Sequence, residues 1–181
     1  IDATKSNAKD LIFAGMVTDA VWTDFNQDGA TDLILVGEWM PLTFLENKDG
    51  VLTKINSEIK DKNQEEIDHT GWWYSIHAND FDQDGDEDFI VGNLGLNYKY
   101  KATQSEPFEI HYDDFDNNGQ KDIVLSYYNF GEQYPLRGRS CSAQQIPEIK
   151  EKFGNYNIFA SANLKKVYTP IALEEALHYS T

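Results

Sequence analysis

Three ten-residue segments of the chain align on one another without gaps. They are Asp24-Phe25-Asn26-Gln27-Asp28-Gly29-Ala30-Thr31-Asp32-Leu33, Asp80-Phe81-Asp82-Gln83-Asp84-Gly85-Asp86-Glu87-Asp88-Phe89 and Asp114-Phe115-Asp116-Asn117-Asn118-Gly119-Gln120-Lys121-Asp122-Ile123. Each reads D-F-[DN]-x-[DN]-G-x-x-D, followed by an apolar residue. Self-similarity within one chain marks a repeat architecture, which constrains the fold more than the propensity of any single segment. The spacing also has chemical content. Oxygen-bearing side chains at positions 1, 3, 5 and 9 can converge on one hard cation, and the main-chain carbonyl of position 7 (Ala30, Asp86 or Gln120) supplies a further oxygen. Glycine at position 6 permits the positive φ that so tight a loop needs. Calcium, which accepts about six to eight oxygens in flexible geometry, suits this set better than magnesium. Zinc is disfavoured, because no cysteine or histidine lies inside the loops. A single Asp/Asn/Gly run would read equally well as a polar turn. Three in register do not.

The flanking residues decide which kind of calcium loop this is. An EF-hand needs a bidentate Glu at position 12 and helices on both sides. Position 12 is Leu35, Val91 and Leu125, so that ligand is missing three times. After the loops come Leu33-Ile34-Leu35-Val36, Phe89-Ile90-Val91 and Ile123-Val124-Leu125-Ser126-Tyr127-Tyr128, all of buried-strand character. Before them come Ala20-Val21-Trp22-Thr23, Tyr74-Ser75-Ile76-His77-Ala78 and Phe108-Glu109-Ile110-His111-Tyr112, also strand-like. Each loop is expected to join two strands as a hairpin.

A strand, this loop and a second apolar strand resemble the calcium loop of FG-GAP/VCBS repeats, the blades of integrin α-chain-like propellers. The stretches Thr70-Gly71-Trp72-Trp73, Gly92-Asn93-Leu94-Gly95-Leu96-Asn97 and Tyr134-Pro135-Leu136-Arg137-Gly138-Arg139 are similar to the bacterial VCBS-repeat proteins of the cartilage acidic protein (ASPIC/UnbV) group. The resemblance implies three sets of side-chain ligands for Ca2+: Asp24, Asn26, Asp28 and Asp32; Asp80, Asp82, Asp84 and Asp88; and Asp114, Asp116, Asn118 and Asp122. Loop 3 departs from the pattern, with Asn118 at position 5 and Lys121 beside the last ligand, and is expected to bind most weakly because ligand charge tunes affinity.

The fold class expected is mainly β: a partial or incomplete β-propeller of FG-GAP/VCBS blades with a C-terminal helical segment. Loop starts lie 56 residues apart (24 to 80) and then 34 apart (80 to 114), against ~40–45 residues for a four-stranded blade. The first interval allows a blade with a polar insertion at 56–68, and the second is short. Residues 1–139 are read as blades with the three loops, and 140–181 as a helical insertion or extension packed on the propeller. There, Ser142 and Gln145 suggest a capping box, Ile146, Ile149 and Phe153 share one helical face, and Gly154 suggests a stop. Thr169-Pro170 opens a second expected helix over 171–178.

Composition limits the partners. The 181 residues carry a formal net charge of −16, which disfavours nucleic acid and anionic membranes. No apolar run approaches the ~18 residues of a membrane helix, so direct membrane insertion is not expected. The single cysteine, Cys141, excludes an internal disulfide. The start, Ile1-Asp2-Ala3-Thr4, reads as a cut in a longer protein.

Other residues carry weaker signals. His77 and His111 each stand three residues before a loop, where the first repeat has Val21, which suggests a strand-face position rather than a catalytic base. Trp72 and Trp73 read as blade anchors before a sugar platform, and Phe25, Phe81 and Phe115 as core wedges. Arg137 and Arg139 could meet a ligand carboxylate or an internal acid. No set of residues has catalytic spacing. The function expected is a calcium-binding module of an extracellular, cell-surface or periplasmic protein that binds a protein or a glycan. The alternative is the non-catalytic scaffold of a polysaccharide-acting hydrolase or lyase.

Overall fold

The structure, a computed structural model, describes residues 2–181, apart from the side chain of Asn97. Ile1, the first residue of the expected cut, lies outside them. The chain forms two compact units, one ending at Leu94 and the other spanning Gly95–Thr181. The boundary expected at 139/140 falls inside the second unit.

The first unit opens with a short helix, α1 (Thr4–Asn7), and a 3-10 turn (Lys9–Leu11). Six strands follow: β1 (Met16–Thr23), β2 (Asp32–Pro41), β3 (Thr43–Lys48), β4 (Val51–Lys54), β5 (Thr70–Asn79) and β6 (Asp88–Asn93). They form one antiparallel sheet in the order β4-β3-β2-β5-β6, with β1 also paired to β2. The apolar run Leu33–Val36 explains why β2 is central. Its side chains alternate between two faces, and both are covered. Leu33 and Leu35 join Met40 and Leu45 in one cluster, while Ile34 and Val36 join Ile76, Phe25, Phe44 and Trp73 in another. Strands β3 and β4 are joined by Asp49-Gly50, both at positive φ (54° and 83°), the two-residue hairpin that Asp-Gly favours. The expected insertion at 56–68 contains no strand, only an isolated bridge between Lys60 and Glu66.

The second unit contains β7 (Glu109–Asp113), β8 (Asp122–Asn129) and β9 (Glu132–Pro135), then helices α2 (Arg139–Gln145), α3 (Glu148–Lys152), α4 (Tyr156–Ala160), α5 (Leu164–Val167) and α6 (Pro170–Glu175), and last β10 (Leu177–Ser180). The sheet order is β10-β7-β8-β9. Val124 of β8 meets Ile146, Ile149, Phe153, Phe159, Leu164 and Leu173 in one buried cluster, so the helices cover one face of the sheet.

The helical expectation holds in outline and fails in three details. The helix through 146 is broken into α2 and α3 at Ile146-Pro147, because proline forces the preceding residue out of the helical region; Ile146 lies at φ −121°, ψ 90°. Ser142 does not cap: it lies inside α2, where its hydroxyl donates to the Arg137 carbonyl, and Gly138 precedes the helix. The helix expected over 171–178 stops at Glu175, and Leu177–Ser180 form a strand instead. That strand pairs antiparallel with β7, satisfying main-chain groups at an edge that would otherwise stay open. Each sheet is antiparallel and open, and the described residues contain no closed ring of blades.

Candidate metal centre

All three acidic loops are held in one strand register. Each connects an antiparallel pair: β1 to β2, β5 to β6 and β7 to β8. The residue before the loop pairs with position 9 in every case: Thr23 with Asp32, Asn79 with Asp88, and Asp113 with Asp122. The last acidic residue of the motif is therefore the first residue of the second strand, anchored by the sheet while positions 1 to 7 turn above it.

Inside the loops, the same hydrogen bonds recur. The position-5 N–H donates to Oδ1 of positions 1 and 3: Asp28 to Asp24 and Asn26 (3.0 and 3.0 Å), Asp84 to Asp80 and Asp82 (3.2 and 3.2 Å), and Asn118 to Asp114 and Asp116 (2.9 and 3.2 Å). The glycine N–H donates to Oδ2 of position 1 at 2.9, 3.2 and 2.8 Å. The position-7 N–H of Ala30, Asp86 and Gln120 donates to Oδ1 of position 5 at 2.8, 3.1 and 2.8 Å. Position 4 is left-handed in all three (Gln27, Gln83 and Asn117, φ 56–64°), and so is the glycine (φ 86–100°). These bonds preset the side chains of positions 1, 3 and 5 on the inner side of each turn.

The donor sets of loops 2 and 3 are compatible with a metal ion, whereas the carboxylates of Asp24, Asp28 and Asp32 in loop 1 are not brought together in this way. Carboxylate oxygens of Asp80, Asp82 and Asp88 lie within 4.8 Å of one another, as do those of Asp114, Asp116 and Asp122. Oxygens on opposite sides of one calcium ion are about 4.6–5.2 Å apart, so each triad fits around a single ion.

Loop 1 adds the most specific observation. Asp32 is fully buried; its Oδ1 accepts the main-chain N–H of Asn47 at 2.7 Å, and its Oδ2 is buried without a hydrogen-bond partner. In loops 2 and 3 the corresponding Oδ2 accepts the N–H of Phe81 (2.9 Å) or Phe115 (3.1 Å). Burial raises the Asp32 carboxyl above its ordinary range, and the charges of Asp28, Asp24 and Glu46 add to the rise against the hydrogen bond from Asn47. Asp122 is raised in the same way, by burial and then by Asp116 and Asp114. In loop 2, Asp86 is raised by its hydrogen bond to Asp84 and by the charges of Asp84, Asp88 and Asp82. Lys48 pairs with Glu46 at 2.6 Å beside loop 1, and a further positive charge close to these carboxyls would act against their rise.

The motif did not point to Glu46. The β2–β3 hairpin brings its carboxylate to the first loop, where Oε1 accepts from Asn26 Nδ2 at 3.3 Å. Nothing in its local sequence signals this; only the pairing of β3 with β2 does. Lys121, beside the last ligand of loop 3, pairs with Asp113, 2.5 Å away.

The weaker candidates separate. His77 is exposed and His111 buried, although they occupy one repeat position. Phe25 and Phe115 pack on cores as expected, whereas Phe81 is 46% exposed. Trp73 packs against Ile34 and Val36, while Trp72 lies between the rings of Trp39 (4.6 Å) and Tyr74 (6.3 Å). Arg139 bonds the Phe153 and Lys150 carbonyls and meets no acid there.

An antiparallel β protein with acidic inter-strand loops able to hold a metal is the class that fold and site define. Within it, residues 24–91 match the family model of the FG-GAP-like repeat, a stretch that contains both loops of the first unit. Loop 3 lies outside the match and is tied to the other two by its register and hydrogen bonds. No curated protein and no solved structure matches the chain. No helix among the described residues is long and apolar enough to cross a membrane.

Proposed function

We propose that this chain is a calcium-binding segment of an FG-GAP/VCBS-type β-propeller, and that it serves as an interaction module. Asp32 carries the reading. A fully buried carboxylate with one oxygen unpaired, in the field of Asp24, Asp28 and a Glu46 that is already paired with Lys48, is costly without a further counter-charge. The all-oxygen donor sets of positions 1, 3, 5 and 9, with the position-7 carbonyl, suit a hard cation, and the flexible geometry favours calcium over magnesium. The side-chain ligands are Asp24, Asn26, Asp28 and Asp32; Asp80, Asp82, Asp84 and Asp88; and Asp114, Asp116, Asn118 and Asp122. Ala30, Asp86 and Gln120 contribute main-chain oxygen.

Metal held by turns between strands fixes the loops at one end of each hairpin, where a partner can be met. A protein or glycan partner fits this role; the neighbouring rings of Trp39, Trp72 and Tyr74 support the glycan arm. Modules with weak calcium sites work where the ion is near millimolar, which supports an extracellular, cell-surface or periplasmic setting. Kinship with the bacterial cartilage-acidic-protein group rests on the stretches at 70–73, 92–97 and 134–139. Calorimetric titration of the chain with Ca2+ and with Mg2+ tests the proposal: calcium should bind at up to three sites and more tightly than magnesium. A flat calcium titration overturns it.

A further inference from the structure

The second unit carries a cluster whose chemistry differs from that of the acidic loops. Glu109 and His111 stand two residues apart on β7 and so share a face of the sheet. Strand β10 sets His178 directly opposite His111. One ring nitrogen of each histidine and a carboxylate oxygen of Glu109 lie within 4.8 Å of one another. Glu109 and His111 are 8% and 6% exposed, while the His178 side chain is 43% exposed, so the cluster is closed below and open on one side. His178 Nε2 is 3.3 Å from Glu109 Oε2, and the two imidazoles are nearly parallel, with centroids 4.5 Å apart.

The contact between His178 and Glu109 leaves another fact standing. Nδ1 of His111 is buried with no hydrogen-bond partner. Buried polar nitrogen is normally satisfied, and two facing imidazoles over one carboxylate are a metal-ligand set. Gln133 Nε2 donates to Glu109 Oε2 and, at 2.9 Å, to Ser126 Oγ. It orients the carboxylate as outer partners of metal ligands do.

We propose that Glu109, His111 and His178 form a transition-metal site of the zinc class, distinct from the acidic loops. Two imidazoles and one carboxylate suit Zn2+, whereas calcium requires more oxygens than are present. Ligands about 2.0–2.1 Å from a tetrahedral zinc are about 3.3 Å apart. His178 Nε2 and Glu109 Oε2 already have that separation, at 3.3 Å, and the exposed His178 side leaves the fourth position to water or a partner's side chain.

The test is calorimetric titration of the full chain with Zn2+ in saturating Ca2+, so that loop sites do not compete. One zinc per chain is expected. His178→Ala, at an exposed position, should weaken that binding at least tenfold while calcium titrates as in the parent, which shows that the variant is folded. The His69→Ala/His77→Ala double variant should bind zinc like the parent. No zinc binding, binding that survives in His178→Ala, or binding lost in the double variant would each overturn the proposal.

Discussion

Oδ1 of Asp32 accepts the main-chain N–H of Asn47 at 2.7 Å, and that bond makes the two oxygens of one carboxylate unequal. Strand β3 fixes the first oxygen, and the second is left buried and unpaired, in the field of Asp28, Asp24 and Glu46. Asp32→Asn keeps an acceptor for Asn47 and removes the charge. Without calcium the variant should be more stable than the parent by about 1 kcal/mol, since unpaired buried charge is the larger penalty. With calcium it should be less stable, having lost a ligand. Urea denaturation in chelator and in calcium checks this. The same sign of effect in both conditions would contradict the role assigned to Asp32.

The raised carboxyls of Asp32 and Asp122 set a pH dependence. Their folded values lie above the ordinary value of an aspartate in the unfolded chain, so between the two the native state holds protons that the unfolded state has released. The stability they contribute is full below the unfolded value and is lost as pH rises through the folded one. Asp68 and Asp113 shift the other way through hydrogen bonds from Thr70 and Lys121, so the comparison must be differential. In chelator, the parent should lose more stability than Asp32→Asn/Asp122→Asn as pH is raised from acid toward neutral. Parallel pH profiles would remove these two groups from the account.

Loop 2 should be the tightest calcium site. Its four assigned side-chain ligands are all carboxylates, and Asp86 adds a further charge, raised by Asp84. Asp84→Asn should weaken one site by roughly tenfold, about 1.4 kcal/mol, and leave the others titrating normally. Loop 3, with Asn118, should be weakest. Three equal sites in calorimetry, or no effect of Asp84→Asn, would count against this ranking.

What the sequence made legible follows from how local each signal is. The strands on both sides of each loop were legible because apolar β-formers abut a motif whose glycine and acids set the turn. Ile146, Ile149 and Phe153 could be placed on one buried face by spacing alone. The break at Pro147 was legible in principle, since proline acts locally, but periodicity across it read as one helix. Leu177–Ser180 became a strand because β7 offered an unpaired edge, a tertiary demand absent from its own residues. Glu46 beside loop 1 and His178 opposite His111 depend on pairing between distant strands, which no spacing within either segment records.

The helices of the second unit should be part of its core. Leu164 is fully buried in the cluster that includes Val124 of β8. Leu164→Ala should cost about 2–5 kcal/mol, and removing residues 139–181 should expose that cluster and cause aggregation. A soluble, monomeric truncation with loop 3 still binding calcium would show the helices to be dispensable.

Thermal melting of the unaltered chain in excess calcium and in chelator tests the central claim most directly. Metal bound only by the native state adds roughly 2.7 kcal/mol per site at a hundredfold excess over its dissociation constant. With about 2–4 °C per kcal/mol for a chain of this size, the midpoint should rise by at least about 5 °C in calcium, and magnesium should give less. Coincident melting curves in calcium and chelator would contradict calcium binding by these loops.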